Sequence, residues 1–254
     1  SGKAGNSQID VDGLLKLARE KSIDGRKALL RAISDLFEGR SEELNEREVT
    51  LMHAILHQLV SDTEKEVRKA VSDQFAASQY ISAEIVKELA NDDIEVAFSV
   101  LRHSKLLRDP DLIEVIRNRT FEHQLAVAQR ENISSKVSGA LVDTENETVV
   151  VALLNNSGAE ISRKTREYLV DESERVDTFQ DPLLRRSDLE PDLAQKMYVW
   201  VSAAMRRHIL STYDLDQDVV DDLLEQVAVL EEHGRVPEGL TPSAAEEFAA
   251  NLKE

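Results

Sequence analysis

Arg185-Arg186 and Arg206-Arg207-His208 are the densest positive clusters in this acidic chain, and by residue type they are the best placed to do chemistry. An arginine fork presents paired N–H donors that match a phosphate or a carboxylate, and the Trp200 ring nearby could stack on a base or a guanidinium. The competing reading pairs these arginines with Asp171, Glu172, Asp177 and Asp188 in ion networks, their stems covering apolar surface. Arg185–Asp188 and Arg108–Asp111 also have the Arg-x-x-Asp spacing of cyclic-dinucleotide sites. With 19 arginines and 21 aspartates in the chain, that many matches arise by chance.

Metal chemistry has two candidates. Asp214, Asp216, Asp218, Asp222 and Glu225 fall at positions 1, 3, 5, 9 and 12 of a calcium loop. Val219 stands where the sharp turn needs glycine, and Val219, Val220, Leu223, Leu224, Val227 and Leu230 form a stripe at helical spacing. The segment therefore reads as an acidic amphipathic helix over 213–233. Its stripe must bury either on the chain's own end or against another molecule. His53 and His57 have the i, i+4 spacing of zinc ligands, yet no glutamate or third ligand completes a site, so packing is expected. There is no GxSxG, no phosphate-binding glycine loop, no dinucleotide fingerprint and no cysteine. The expectation is a non-enzyme without cofactor or metal.

Composition narrows the partners. The 254 residues carry 31 basic and 49 acidic side chains, a net charge of −18 that opposes nucleic acid. No apolar run is long enough to span a membrane, and a cytoplasmic location is expected. Residues 1–9 begin Ser-Gly without methionine and read as a disordered cloning remnant, so a targeting segment could once have preceded them. Residues 214–254 hold 12 acidic and 2 basic side chains; 234–254 reads as a linker and acidic tail, with one short helix over 244–252.

The elements that must position these groups are helices throughout. Apolar residues recur at three- and four-residue spacing, and the Val149-Val150-Val151 cluster lies inside such a pattern. Asp24 opens a helix that stops at Gly39. Asn45 and Glu48 have capping-box spacing ahead of a helix running to about Val60. Asp109 is expected to cap a helix whose first residue is Pro110. Above this local level, Ile81-Ser82, Leu107-Arg108, Ile133-Ser134, Ile161-Ser162 and Leu189-Glu190 recur 26, 26, 28 and 28 residues apart. Two short helices per unit cannot bury their own apolar faces and must stack. The expected fold is an all-α solenoid over 10–212, closed by one long capping helix near 192–212.

Asp62-x4-Val67-Arg68-x-Ala70-x4-Phe75 resembles the first helix of a HEAT repeat, and Asp93-x2-Val96 with Val100 and Leu101 is a degenerate copy. From Val170 the sequence reads Val-Asp-Glu-Ser, then Val176-Asp177-x-Phe179-Gln180-x-Pro182-Leu183-Leu184-Arg185-Arg186, then Met197-Tyr198-x-Trp200-Val201-Ser202-Ala203-Ala204-x-Arg206-Arg207-His208-Ile209. This resembles an uncharacterised alphaproteobacterial family of HEAT-like proteins, a domain of unknown function, over roughly 12–215. The resemblance implies a bacterial cytosolic, all-helical protein and brings no catalytic residues.

The functional expectation is a non-catalytic scaffold or regulator that binds another protein through its stacked helices, as a monomer rather than a homodimer. Arg117, Arg163, Lys164 and Arg166, extended by Arg185, Arg186, Arg206, Arg207 and His208, are the candidate binding residues, suited to an acidic peptide. The alternative is a sensor holding a small nucleotide-like anion on the Arg185/Arg186 and Arg206/Arg207 clusters.

Overall fold

The computed structural model describes residues 11–40, 44–61, 63–213 and 215–232, which form fifteen α-helices and one short 3-10 turn, with no strand among the described residues. The expected cloning remnant, linker, tail and 244–252 helix lie outside the described residues, as do Asp62 and Asp214.

The helices come as hairpins. They are α1 (Val11–Arg19) with α2 (Ile23–Arg40), α3 (Glu46–Ser61) with α4 (Lys65–Phe75), α5 (Ala83–Ala90) with α6 (Ile94–His103), and α7 (Asp109–Asn118) with α8 (Phe121–Ala128). Next come α9 (Ser135–Val142) with α10 (Glu147–Leu154), and α11 (Arg163–Glu172) with α12 (Gln180–Leu184), which is entered through the 3-10 turn Asp177–Phe179. The last pair is α13 (Pro191–Met197) with α14 (Ala203–Thr212), followed by α15 (Gln217–Glu232). The second helices pack in unbroken succession, α2 on α4 and onward through α14, while α3 meets α5, α7 meets α9 and α11 meets α13 in a row of first helices.

The repeated dipeptides explain this regularity. Ser82, Arg108, Ser134, Ser162 and Glu190 are the N-cap residues of α5, α7, α9, α11 and α13. The apolar residue before each cap, from Ile81 to Leu189, is buried in the core. The serine hydroxyls accept the backbone N–H of Ile85, Val137 and Thr165, filling one of the four donors that a helix start leaves open. At Arg108 the roles reverse, and the Asp111 carboxylate accepts the Arg108 N–H at 3.0 Å. That contact starts α7 at Asp109 and puts Pro110 second, one residue earlier than expected. The Asp109 carboxylate instead accepts the Ser134 hydroxyl at 2.7 Å, tying α7 to α9. Asn45 and Glu48 form the expected capping box, with Asn45 N–H donating to Glu48 at 2.9 Å and Glu48 N–H to Asn45 at 3.1 Å.

The single long helix expected near 192–212 is instead two, broken over 198–202. Ser202 caps α14 by accepting the Met205 N–H, and the Arg206 guanidinium donates to the Tyr198 and Val199 carbonyls at the end of α13. Both new helix ends are thereby satisfied, so the break leaves few backbone groups unpaired. α15 turns Val220, Leu223 and Val227 into the interior, so the stripe buries within the chain. No described helix is long and apolar enough to cross a membrane.

One loop contact requires glycine. Ile133 N–H donates to the Gly158 carbonyl at 3.2 Å and Glu160 N–H to the Ile133 carbonyl at 2.9 Å, clamping two inter-repeat loops together. A Cβ on residue 158 would lie 1.8 Å from the Glu131 carbonyl oxygen. Gly158→Ala must force these loops apart, at a cost of about 2 kcal/mol or more. Differential scanning calorimetry is expected to show a fall in Tm of several degrees.

Candidate functional site

A helix ends with carbonyls that lack intrahelical partners, and successive second helices leave a column of such ends along one edge of the stack. A side chain from the next repeat covers each of three successive ends. Arg130 donates to the Leu101 and Ser104 carbonyls at the end of α6. Asn156 donates to the Ala128 and Arg130 carbonyls at the end of α8, at 2.9 and 2.6 Å. Arg186 donates to Leu154, Asn156 and Ala159 at the end of α10, at 3.3, 3.0 and 2.8 Å. His208 lies 3.3 Å from the Leu184 carbonyl at the end of α12. Arg130 is buried and no carboxylate pairs with it among the described residues; burial pulls its pKa down, while the negative end of the α6 dipole stabilises its charge.

The candidate arginines fall into different environments. Arg186 is buried, its side chain only 6% exposed. Besides the three carbonyls it forms a fork with Asp188, Nε to Oδ1 at 2.8 Å and Nη2 to Oδ2 at 2.9 Å. A guanidinium has five N–H donors, and here all five are engaged within the chain. Arg206 is buried too, its guanidinium over the Tyr198 ring at 5.5 Å. Arg166 donates a two-point fork to Glu190 at 2.9 and 2.6 Å and reaches the Ile161 carbonyl. Arg163 bridges Glu167 and Asp192, and exposed Arg185 bridges Asp181 at 2.8 Å. Arg117, Lys164, Arg207 and His208 lie on the surface.

The expected ion-network reading of the arginines thus describes Arg186 with Asp188. Asp171 and Glu172 pair elsewhere, with Lys196 and Arg175. Trp200 is half-buried and donates from its indole N–H to Ser173 at 3.1 Å. His53 packs 6.1 Å from the Phe37 ring and lies 2.6 Å from the Tyr80 carbonyl, whereas exposed His57 faces Glu88. A cleft of roughly 410 Å3 opens beside Arg186, but its rim mixes Arg185 with Glu160 and Asp188.

Residues not singled out from the sequence carry the outer surface. Phe98 on α6 and Phe121 on α8 are each 42% exposed, and Tyr168 on α11 is 46% exposed. The Arg102 guanidinium sits over the Phe98 ring at 5.6 Å. These rings escaped the sequence reading because one aromatic in a short helix is ordinarily core, and only the solved packing separates the outward ones.

These features define an all-helical protein whose polar interior serves its own helix ends. The chain belongs to a bacterial family, described as an uncharacterised protein conserved in bacteria (DUF2336), whose sequence profile matches residues 96–254. That match includes the segment after residue 215, which the resemblance read from the sequence left outside. No curated protein and no solved structure matches the chain.

Neighbouring arginines should respond in opposite ways. Arg186→Met strips donors from three carbonyls and Asp188 and is expected to cost about 3–5 kcal/mol. Arg185→Met should stay within about 0.5 kcal/mol in the same urea titration. Acid should weaken the bridges. Burial works to raise the Asp92 carboxyl, but the Arg68 fork and a backbone N–H outweigh it and hold it below its ordinary value. Glu190 is held low chiefly by its bond to Arg166. Depressed carboxylates contribute stability above their unfolded pKa near 4, lost as pH falls through the lower folded values. Titration from about pH 5 to pH 2 should therefore lower the urea midpoint more steeply in the wild type than in Asp92→Asn, where that linkage is absent.

Proposed function

We propose that this protein is a HEAT-like α-solenoid that works without catalysis, as a docking scaffold or regulator for another protein in an alphaproteobacterial cytoplasm. The unbroken succession of second helices and the repeated capped starts support the solenoid. The observation that carries the docking reading is the exposure of Phe98 and Phe121 on adjoining helices, α6 and α8. Exposed large rings on neighbouring, well-packed elements are the usual material of a protein contact.

The small-anion sensor has less support. With its five donors engaged, Arg186 has no fork left to offer a phosphate, and Arg206 is buried against Tyr198. An acidic peptide would meet mainly Arg117, Lys164 and Arg207, because Arg163, Arg166 and Arg185 are already bridged to carboxylates.

Affinity capture from the native bacterial lysate, with Phe98→Glu and Phe121→Glu run in parallel, tests the reading. Proteins enriched by the wild type and lost from both variants, with unchanged circular dichroism, are the expected result. A nucleotide that raises Tm in a thermal-shift panel, with no variant-sensitive partner, would overturn it.

A further inference from the structure

The N-caps of the second helices put the repeats in register. Asp93, Thr120 and Asn146 cap α6, α8 and α10, and the fifth residue after each cap is apolar: Phe98, Leu125 and Val151. Phe98 is 42% exposed, and Leu125 and Val151 are half-buried against the core. The ninth residue after each cap is polar: Arg102, Gln129 and Asn155. Positions four apart share one helix face, and the contacts agree. The Arg102 guanidinium lies over the Phe98 ring, and the Asn155 amide donates to the Val151 carbonyl at 2.9 Å. An apolar row and a polar row therefore run side by side across three helices that pack in succession. Charge bounds them at both ends. The same positions on α4 are Lys69 and Asp73, paired at 2.8 Å, and on α12 exposed Arg185 pairs with Asp181.

The polar row is rich in donors. Arg102 has no carboxylate partner among the described residues, whereas Lys65, Arg68 and Lys69 on α4 are all paired. Its hydrogen bond to the Gln129 carbonyl, at 3.5 Å, leaves donors to spare. The Gln129 side chain is exposed and bonds to nothing among the described residues, and Asn155 keeps the second N–H of its amide. Such a row suits a chain that offers carbonyls and few N–H groups. The spacing selects the conformation. Packed helices lie about 8–10 Å apart. A polyproline II segment repeats its face every three residues, about 9.3 Å, and leaves its carbonyls unbonded. A β-strand returns to one face after about 6.6 Å, and an α-helix spends its carbonyls internally. An acidic segment would meet Glu95 and Glu122, about one turn before Phe98 and Leu125.

We propose that the outer face of α6, α8 and α10 docks a proline-rich partner segment in the polyproline II conformation. The proposal rests on the docking function above and names the chemistry of the partner. One apolar residue in every three lies on Phe98, Leu125 and Val151, and the carbonyls between them accept from Arg102, Gln129 and Asn155. Proline supplies apolar surface and acceptors without N–H donors, and its preset backbone loses little entropy on docking. The ion pairs on α4 and α12 limit the contact to three helices, because an apolar residue placed over them would bury charge.

The test is fluorescence anisotropy with a rhodamine-labelled, end-capped peptide of Leu-Pro-Pro repeats. The wild type should bind it, and the affinity should change little as salt is added, since the peptide carries no charge. Phe98→Ala should weaken binding about tenfold. Gln129→Glu keeps the size of an exposed side chain but trades its donors for acceptors, and should weaken binding about two- to tenfold with unchanged circular dichroism. Tyr168→Ala, on α11, should leave it unchanged. Full binding by Gln129→Glu alongside a loss in Phe98→Ala would mean apolar contact that reads no carbonyls, and would overturn the proposal. Equal affinity for a flexible Leu-Gly-Ser repeat, or tighter binding of an amphipathic helical peptide, would overturn it too. So would indifference to the proline peptide in a chain that still captures partners through Phe98, an outcome that leaves the docking function standing.

Discussion

The last carbonyls of a helix need donors that the helix cannot supply, and the stacking of this protein depends on how that need is met. Where an isolated helix would turn to water, α6, α8 and α10 turn to a side chain two residues beyond the end of the next second helix. Each such contact crosses a repeat boundary, so it acts on the spacing between repeats as well as on a helix end. The apolar core alone would tolerate small slides between neighbouring hairpins. Fixed carbonyl targets, read by the geometry of a guanidinium or an amide, do not. The pairing of the 133 and 158–160 backbones adds a second fixed distance at the same edge, and Gly158 is the residue that permits it.

Much of this was legible in the sequence. The apolar–polar pairs from Ile81-Ser82 to Leu189-Glu190 mark helix starts because an N-cap is a local device, settled by a side chain and a backbone N–H a few residues apart. The Asn45–Glu48 box was readable for the same reason. The helix break over 198–202 was not, since Ser202 and Arg206 both have partners that depend on where the chain turns. The same holds for Arg186. Residue type and spacing made it an anion-site candidate, and only the packing shows that its donors face the ends of the preceding repeat. A signal did exist: Ser104, Arg130 and Arg186 each stand three residues before the apolar member of a repeated pair. A polar residue at a fixed place in a buried repeat is more readily explained by repeat geometry than by a ligand.

The ladder also reshapes the electrostatics of the surface. The chain has fewer basic than acidic side chains, and several of its arginines are drawn inward or bridged between repeats. Counting positive residues along the sequence therefore overstates the positive surface. What faces outward is more acidic than the composition alone suggests, which weighs against phosphate-rich partners.

The two edges of the stack differ for a reason that begins in the peptide unit. A helix start has spare N–H donors and a positive dipole end, so it is satisfied locally, by a first-turn acid such as Glu122 or by the amide oxygen of an N-cap such as Asn146. A helix finish has spare carbonyls and a negative end, and α8 and α10 carry no basic residue in their last turn to offer. The finish must borrow a donor from the neighbouring repeat; the start need not. Repetition turns that local asymmetry into a global one. Donors gather and bury along the edge where the second helices end, beside the acidic first turns of first helices such as Glu84 of α5 and Asp192 of α13. Phe121 opens α8 at the edge where the second helices begin and stays exposed there, since a helix start needs nothing from the next repeat.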